Sequence, residues 1–200
     1  MFKNLLSLNV AAALLMSGAV AAQETTQEDQ TQGEVPQTQS GSDLDLGESG
    51  PRVGEQYVVE EVGDWAITCL KTDTGNDPCL MRQALTGEEG QPIAEISISK
   101  LPEGVAAVAG ASVIVPLEVL VQAQLALSID GAPGKRYDYH HCNPVGCVAQ
   151  LGFTEGDVAA MKAGSDATLS LVSVLAPNQL LQIGISLSGF TGAFDKLNGN

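Results

Sequence analysis

Basic residues are scarce. The 200-residue chain carries nine lysines and arginines against 24 acids, for a formal net charge of −15. So few cations cannot neutralise a run of phosphates, which makes nucleic acid and the anionic face of a membrane poor partners and disfavours acidic substrates. Aromatics are scarcer still, eight in all, too few for a base-stacking platform. Only two histidines are present, side by side at His140 and His141. The chain has no Gly-x-Ser-x-Gly elbow, no His-Glu-x-x-His, no glycine-rich phosphate loop and no Cys-x-x-Cys pair. The usual routes to acyl transfer, metalloproteolysis, phosphoryl transfer and thiol redox chemistry are therefore missing.

No apolar run reaches the ~20 residues of a membrane-spanning helix. At the N-terminus, Lys3 precedes an apolar stretch from Leu5 to Val20, followed by Ala21 and Ala22. A short positive region, an apolar segment and small residues before the cut describe a secretory signal peptide over 1–22, cleaved after Ala21 or Ala22. No cysteine precedes Cys69, so no lipid-modified cysteine is expected at the new N-terminus. The mature chain is read as having no transmembrane segment, and its place as the periplasm, the cell envelope or the secreted fraction. Residues 23–55 are rich in Gln, Glu, Thr, Ser and Gly and hold eight acids against the single base Arg52. Such a stretch cannot bury enough apolar surface to offset chain entropy, so it is expected to be a disordered acidic spacer. Residues 56–200 are long enough for an independent core.

Within that domain the hydrophobic period is two. Trp65, Ile67 and Cys69 alternate with Ala66, Thr68 and Leu70, and the same holds around Ile96 and Ile98, around Leu125, Leu127 and Ile129, and from Leu181 to Leu187. Alternation puts one face on a core and one toward water. With turn residues at Thr74–Pro78, Gly87–Gly90, Asp130–Gly134, Asn143–Gly146 and Pro177–Asn178, eight or so short strands predict an all-β sandwich. One short helix opens at Thr154, with Asp157 completing a capping box, and closes at Gly164. A second helical turn is expected around Thr191–Leu197. The apolar stretch Val105–Leu117 reads as two buried strands.

The four cysteines are spaced as Cys69-x9-Cys79 and Cys142-x4-Cys147. An exported chain with an even count should be disulfide-bonded, and each close pair flanks a turn, so Cys69–Cys79 and Cys142–Cys147 are the predicted bridges. In the loop-entropy estimate they contribute roughly 3 and 2 kcal/mol. Tyr139-His140-His141-Cys142 invites a zinc or copper reading. Neighbouring strand residues point to opposite faces, however, so His140 and His141 are not expected to share a metal, and no cofactor is assigned. Asp138 and His140 would share a face as a carboxylate and a base, which keeps a periplasmic hydrolase or metal-dependent enzyme open as the alternative. Trp65, in register with Cys69, is expected to pack on the first disulfide.

The order and spacing of Gly63-Asp64-Trp65-Ala66-Ile67-Thr68-Cys69 with Cys79, Leu101-Pro102-Glu103-Gly104-Val105, Leu127-Ser128-Ile129-Asp130-Gly131, Tyr139-His140-His141-Cys142 with Gly146-Cys147-Val148-Ala149, and Leu187-Ser188-Gly189-Phe190 with Ala193 carry a family likeness. Over about Tyr57–Leu197 the chain resembles the invasion-associated locus B family of alphaproteobacteria. The resemblance implies an exported protein with an immunoglobulin-like sandwich, in a family whose founding member was named for a role in invading host cells. It brings no catalytic residue with it. The expected function is a non-enzymatic interaction module that binds a protein or an envelope component.

Overall fold

The computed structural model describes residues 47–197 except residue 88. The regions read as signal peptide and most of the spacer lie outside the described residues. Within the compact unit Glu48–Asn200 the strands form two antiparallel sheets. The larger is assembled from β1 (Gln56–Val62), β2 (Trp65–Leu70), β3 (Cys79–Thr86), β4 (Pro92–Lys100), β5 (Ala109–Val115), β8 (Tyr139–Asn143) and β9 (Gly146–Phe153), in the order β1-β2-β3-β4-β5-β9-β8. The smaller contains β6 (Leu125–Ile129), β7 (Lys135–Tyr137), β10 (Asp166–Ser173) and β11 (Ala176–Ser186), in the order β11-β10-β6-β7. Asp138 alone separates β7, an edge of the smaller sheet, from β8, an edge of the larger. Backbone pairing also reaches upstream of Gln56, where Gly54 donates to Lys71 O and Glu55 O accepts from Lys71 N–H, both at 2.9 Å.

Burial follows the alternation. Ile96, Ile98, Val113 and Leu151 of the larger sheet and Leu125, Leu169, Leu171 and Ile183 of the smaller are all buried in one core, as expected when two sheets pack face to face. Two differences stand out. Val105–Leu117 supplies one strand, β5, because Leu101 N–H pairs with Val108 O and the residues between form a turn around Gly104, at φ 94°. Leu181 lies 43% exposed although Ile183 and Ile185 of the same strand are buried. The β10–β11 hairpin extends past the core, leaving Leu175, Leu180 and Leu181 in solvent.

Helix α1 (Glu155–Ala163) has both halves of its capping box, Thr154 and Asp157 each holding the other's backbone N–H, and Gly164 as C-cap. Helix α2 (Phe190–Lys196) seals the end of the sandwich. Phe190 stacks on Phe194 at 5.7 Å between centroids, and Lys100 and Lys162 stand over the Phe194 ring at 5.3 and 5.2 Å. Trp65 meets Phe190 edge-on at 5.5 Å, and its indole N–H donates to Ser186 O. This corrects the expected packing on the first disulfide. Four residues along a strand separate Trp65 from Cys69 by about 13 Å, so sharing a face does not bring them together.

Gln83 is buried between the sheets and fully used. Its amide donates to Asp64 O at 3.2 Å and Ser186 O at 3.0 Å and accepts from Ser186 N–H at 2.9 Å, tying β3 to β11. Both disulfides join directly opposed residues of neighbouring strands, Cys69 with Cys79 and Cys142 with Cys147, with Cα separations of 4.1 and 4.0 Å.

The loop leading to Cys79 is organised by Asp77. Its carboxylate accepts from Thr72 N–H (2.8 Å), Thr72 Oγ1 (2.9 Å), Tyr57 Oη (2.8 Å) and Lys71 Nζ (3.2 Å). The Thr72 backbone N–H, then the Tyr57 hydroxyl, hold the carboxyl well below the usual range against a smaller opposing effect of burial. A depressed carboxylate stabilises the fold above its unfolded value of about 3.9, and that contribution fades as pH falls toward the folded value. The melting temperature of the parent chain should therefore exceed that of Asp77→Asn at pH 7, with the gap closing below about pH 4. A gap unchanged between neutral and strongly acidic pH would show that Asp77 is not linked to folding.

Candidate functional site

The Asp130-Gly131 turn between β6 and β7 takes two consecutive positive φ angles, 46° and 73°. Left-handed backbone is tolerated by Asp and unhindered in Gly. The Asp130 carboxylate then accepts from the backbone N–H groups of Ser165 and Asp166, both at 3.0 Å, fixing the connection from α1 to β10. The hairpin and α1 thereby enclose a groove of about 380 Å³. Its walls are largely apolar, with Leu127, Ile129, Tyr137 and Phe153 on the sheet side and Ala160 and Met161 on the helix.

At the groove, Lys135 Nζ grips both oxygens of Asp157 at 2.6 and 2.8 Å. Burial alone would push the Asp157 carboxyl up, but the hydrogen bonds from Lys135 and Thr154 outweigh it and hold the group below its ordinary value. The same carboxylate raises Lys135. Burial, then the neighbouring Asp157 charge, raises the Tyr137 phenol. These shifts hold Asp157, Lys135 and Tyr137 in their neutral-pH forms. The groove offers an apolar cleft beside a neutralised ion pair. The lysine opens β7, whereas Asp157 is recognisable in sequence only as a helix cap. A larger concavity of about 680 Å³ is lined by Ala126, Ser128, Arg136 and Leu180 among others.

Asp138 and His140 are not brought together. Asp138 accepts from Gln124 Nε2 at 2.9 Å, and the Nδ1 of His140 lies 2.8 Å from Nδ1 of His141. That last contact overturns the alternation argument for the two histidines. On β8, Tyr139 pairs with Ala149 but His141 pairs with Val148, so His140 is an extra residue in a β-bulge. The bulge breaks the period of two, and both exposed imidazoles converge edge to face, 5.1 Å between centroids at 83°. Tyr139 is set apart from them: its hydroxyl is buried without a partner and burial pushes the phenol up to about 12. Among the described residues no group of three or more His, Cys, Asp and Glu side chains gathers as a metal site, and no helix is long and apolar enough to cross a membrane.

Several of the residues behind the sequence likeness hold the fold together. Gly63 and Gly189 press backbone against backbone, Asp130 ties the α1–β10 connection, Trp65 and Phe190 form the aromatic contact, and the cysteines bridge strands. Residues 65–198 match the model of the invasion associated locus B (IalB) protein family. The chain belongs to this family. An invasion protein B homologue of Brucella abortus (strain 2308) is 28% identical over 145 residues, covering 72% of this chain and 81% of that protein. A homologue from Brucella abortus biovar 1 (strain 9-941) matches to the same extent. The crystal structure of invasion associated protein B from Bartonella henselae superposes with a TM-score of 0.59 at 26% identity, over 67% of this chain and 90% of that one. The β-sandwich is thus shared with a solved structure of the same family. The α1–hairpin groove and the bulged histidine pair lie within the matched residues.

Proposed function

We propose that this chain is an exported, non-enzymatic interaction module of the periplasm, cell envelope or secreted fraction, and that it holds an apolar side chain of a protein partner in the groove between α1 and the β6–β7 hairpin. One observation carries this reading: the groove's walls are largely apolar, and its charged groups are held by the protein itself, Lys135 by Asp157 and Asp130 by the backbone N–H groups of Ser165 and Asp166. Such a cleft binds through displaced water and shape rather than through chemistry. Residues 1–22 would direct export, and the acidic stretch from 23 to where Gly54 and Glu55 join the fold would link it to the surface that retains it. The two cystine bridges suit an oxidising compartment. The names of the Brucella and Bartonella relatives supply invasion as the setting in which a partner would be met.

The hydrolase alternative needs Asp138 to orient His140, and the hydrogen bonds of both side chains go elsewhere. Ala160 is exposed on α1, so Ala160→Glu should leave the fold intact while placing a charge in the cleft. With the mature chain as bait against the native envelope, partners retained by the parent should be recovered at least about tenfold less by Ala160→Glu, given the 1–3 kcal/mol cost of an unpaired polar group in a desolvated site. The exposed Gln150→Glu, on β9 away from the groove, serves as control. Equal recovery by Ala160→Glu and the parent would sink the groove as the binding site.

A further inference from the structure

We propose that His140 and His141 form a two-imidazole site for a copper(II) ion at the free edge of the larger sheet. The bulge at His140 sets the two Nδ1 atoms 2.8 Å apart. Two nitrogens bound to one metal at about 2.0 Å and at right angles to each other stand about 2.8 Å apart, whereas tetrahedral angles would spread them to about 3.3 Å. The rings hold this spacing through an Nδ1–H···Nδ1 hydrogen bond, and it already brings both nitrogens within reach of one tetragonal ion; among such metals copper(II) binds imidazole most tightly.

The pair is also accessible and braced. Both side chains are exposed, and among the described residues β8 pairs with β9 alone, its other edge lying open to the ion and to the waters that complete its coordination. Cys142, the next residue, is bridged to Cys147 on β9, so the strand carrying the histidines is pinned beside them. The strongly acidic chain raises the local concentration of cations. Without metal, one ring's Nδ1–H donates to the other's Nδ1. On binding, that proton moves to Nε2 of its own ring, both Nδ1 lone pairs face the ion, and no net proton is released or electron transferred. This site is independent of the α1–hairpin groove.

The test is titration of the full mature chain, disulfides intact, with copper(II) alone in a non-coordinating buffer, followed by calorimetry and electron paramagnetic resonance. One equivalent should bind in the micromolar range with an axial spectrum showing nitrogen coupling, and zinc should bind more weakly. His140→Ala or His141→Ala should each weaken binding by about tenfold or more, at least the loss seen when even an outer-shell partner of a metal ligand is removed. The double variant should bind no copper at that concentration and keep the parent's melting temperature. In the parent, the His140 and His141 ring resonances should broaden before any others on substoichiometric addition, which decides the matter even if the double variant folds poorly. The proposal fails if the double variant keeps the parent's stoichiometry and affinity, if the parent does not saturate, if zinc binds as tightly as copper, or if other resonances broaden first.

Discussion

Gly189→Ala is expected to abolish cooperative folding at ambient temperature. Gly189 has φ 82°, and a Cβ there would overlap Val62 O and stand 2.6 Å from Val62 C and 2.8 Å from Gly63 Cα. All three are backbone atoms of the β1–β2 turn, so no side chain can rotate away. A left-handed conformation costs an L-residue roughly 1–2 kcal/mol before any clash. Relieving the overlap means prising α2 and the end of β11 from the β1–β2 turn, where Asp64 N–H pairs with Ser188 O at 3.1 Å. We expect a total loss on the order of 5 kcal/mol, comparable with the whole stability of a small domain. Gly63→Ala should behave similarly, since its Cβ would lie 2.5 Å from Ser188 O and 2.7 Å from Ser188 C at φ 60°. Gly184→Ala on β11 is the control, because nothing lies within 4 Å of its Cβ position and it should melt within about 1 kcal/mol of the parent. Urea denaturation of the three variants checks this; a Gly189→Ala protein unfolding at the parent's midpoint would refute the close-contact account.

Trp65→Ala should be the most damaging truncation in the core, at about 3–5 kcal/mol. Trp65 is 1% exposed, packs edge-on against Phe190 and joins the first turn of the larger sheet to α2. Its indole N–H is less important than its volume, because Ser186 O also accepts from Gln83 Nε2 at 3.0 Å and keeps a partner when the indole is gone. Trp65→Phe should therefore cost about 1–2 kcal/mol, clearly less than the loss from alanine. If thermal or urea melts of the phenylalanine and alanine variants coincide, the hydrogen bond to Ser186 O rather than packing on Phe190 is what Trp65 contributes, and the assignment of roles reverses.

Much of the scaffold is set by local chemistry. Period-two alternation around Ile67, Ile98 and Leu127 determines strands because each side chain's face follows from the pleat, whatever the strand's neighbour. Helix α1 is written in Thr154, Asp157 and Gly164, whose caps act within four residues of the backbone they satisfy. Cys142 and Cys147 meet because Asn143–Gly146 turns the chain between them, with Asn143 Oδ1 accepting from Val145 N–H at 2.8 Å.

What depends on which strand lies beside which is decided only in three dimensions. Trp65 finds Phe190, and Gly63 meets Gly189, because α2 folds over the end of the β1–β2 hairpin, and no local pattern records a contact across more than a hundred residues. The groove exists because Asp130 ties its turn to the α1–β10 connection, making a binding wall out of a loop. The His140–His141 pair shows the difference most directly. Alternation along β8 sends the two rings to opposite faces, but pairing with β9 admits one extra residue, and the bulge turns both rings to one point. Local preference determines the face a side chain takes in a regular strand, whereas a bulge is a property of the register between two strands.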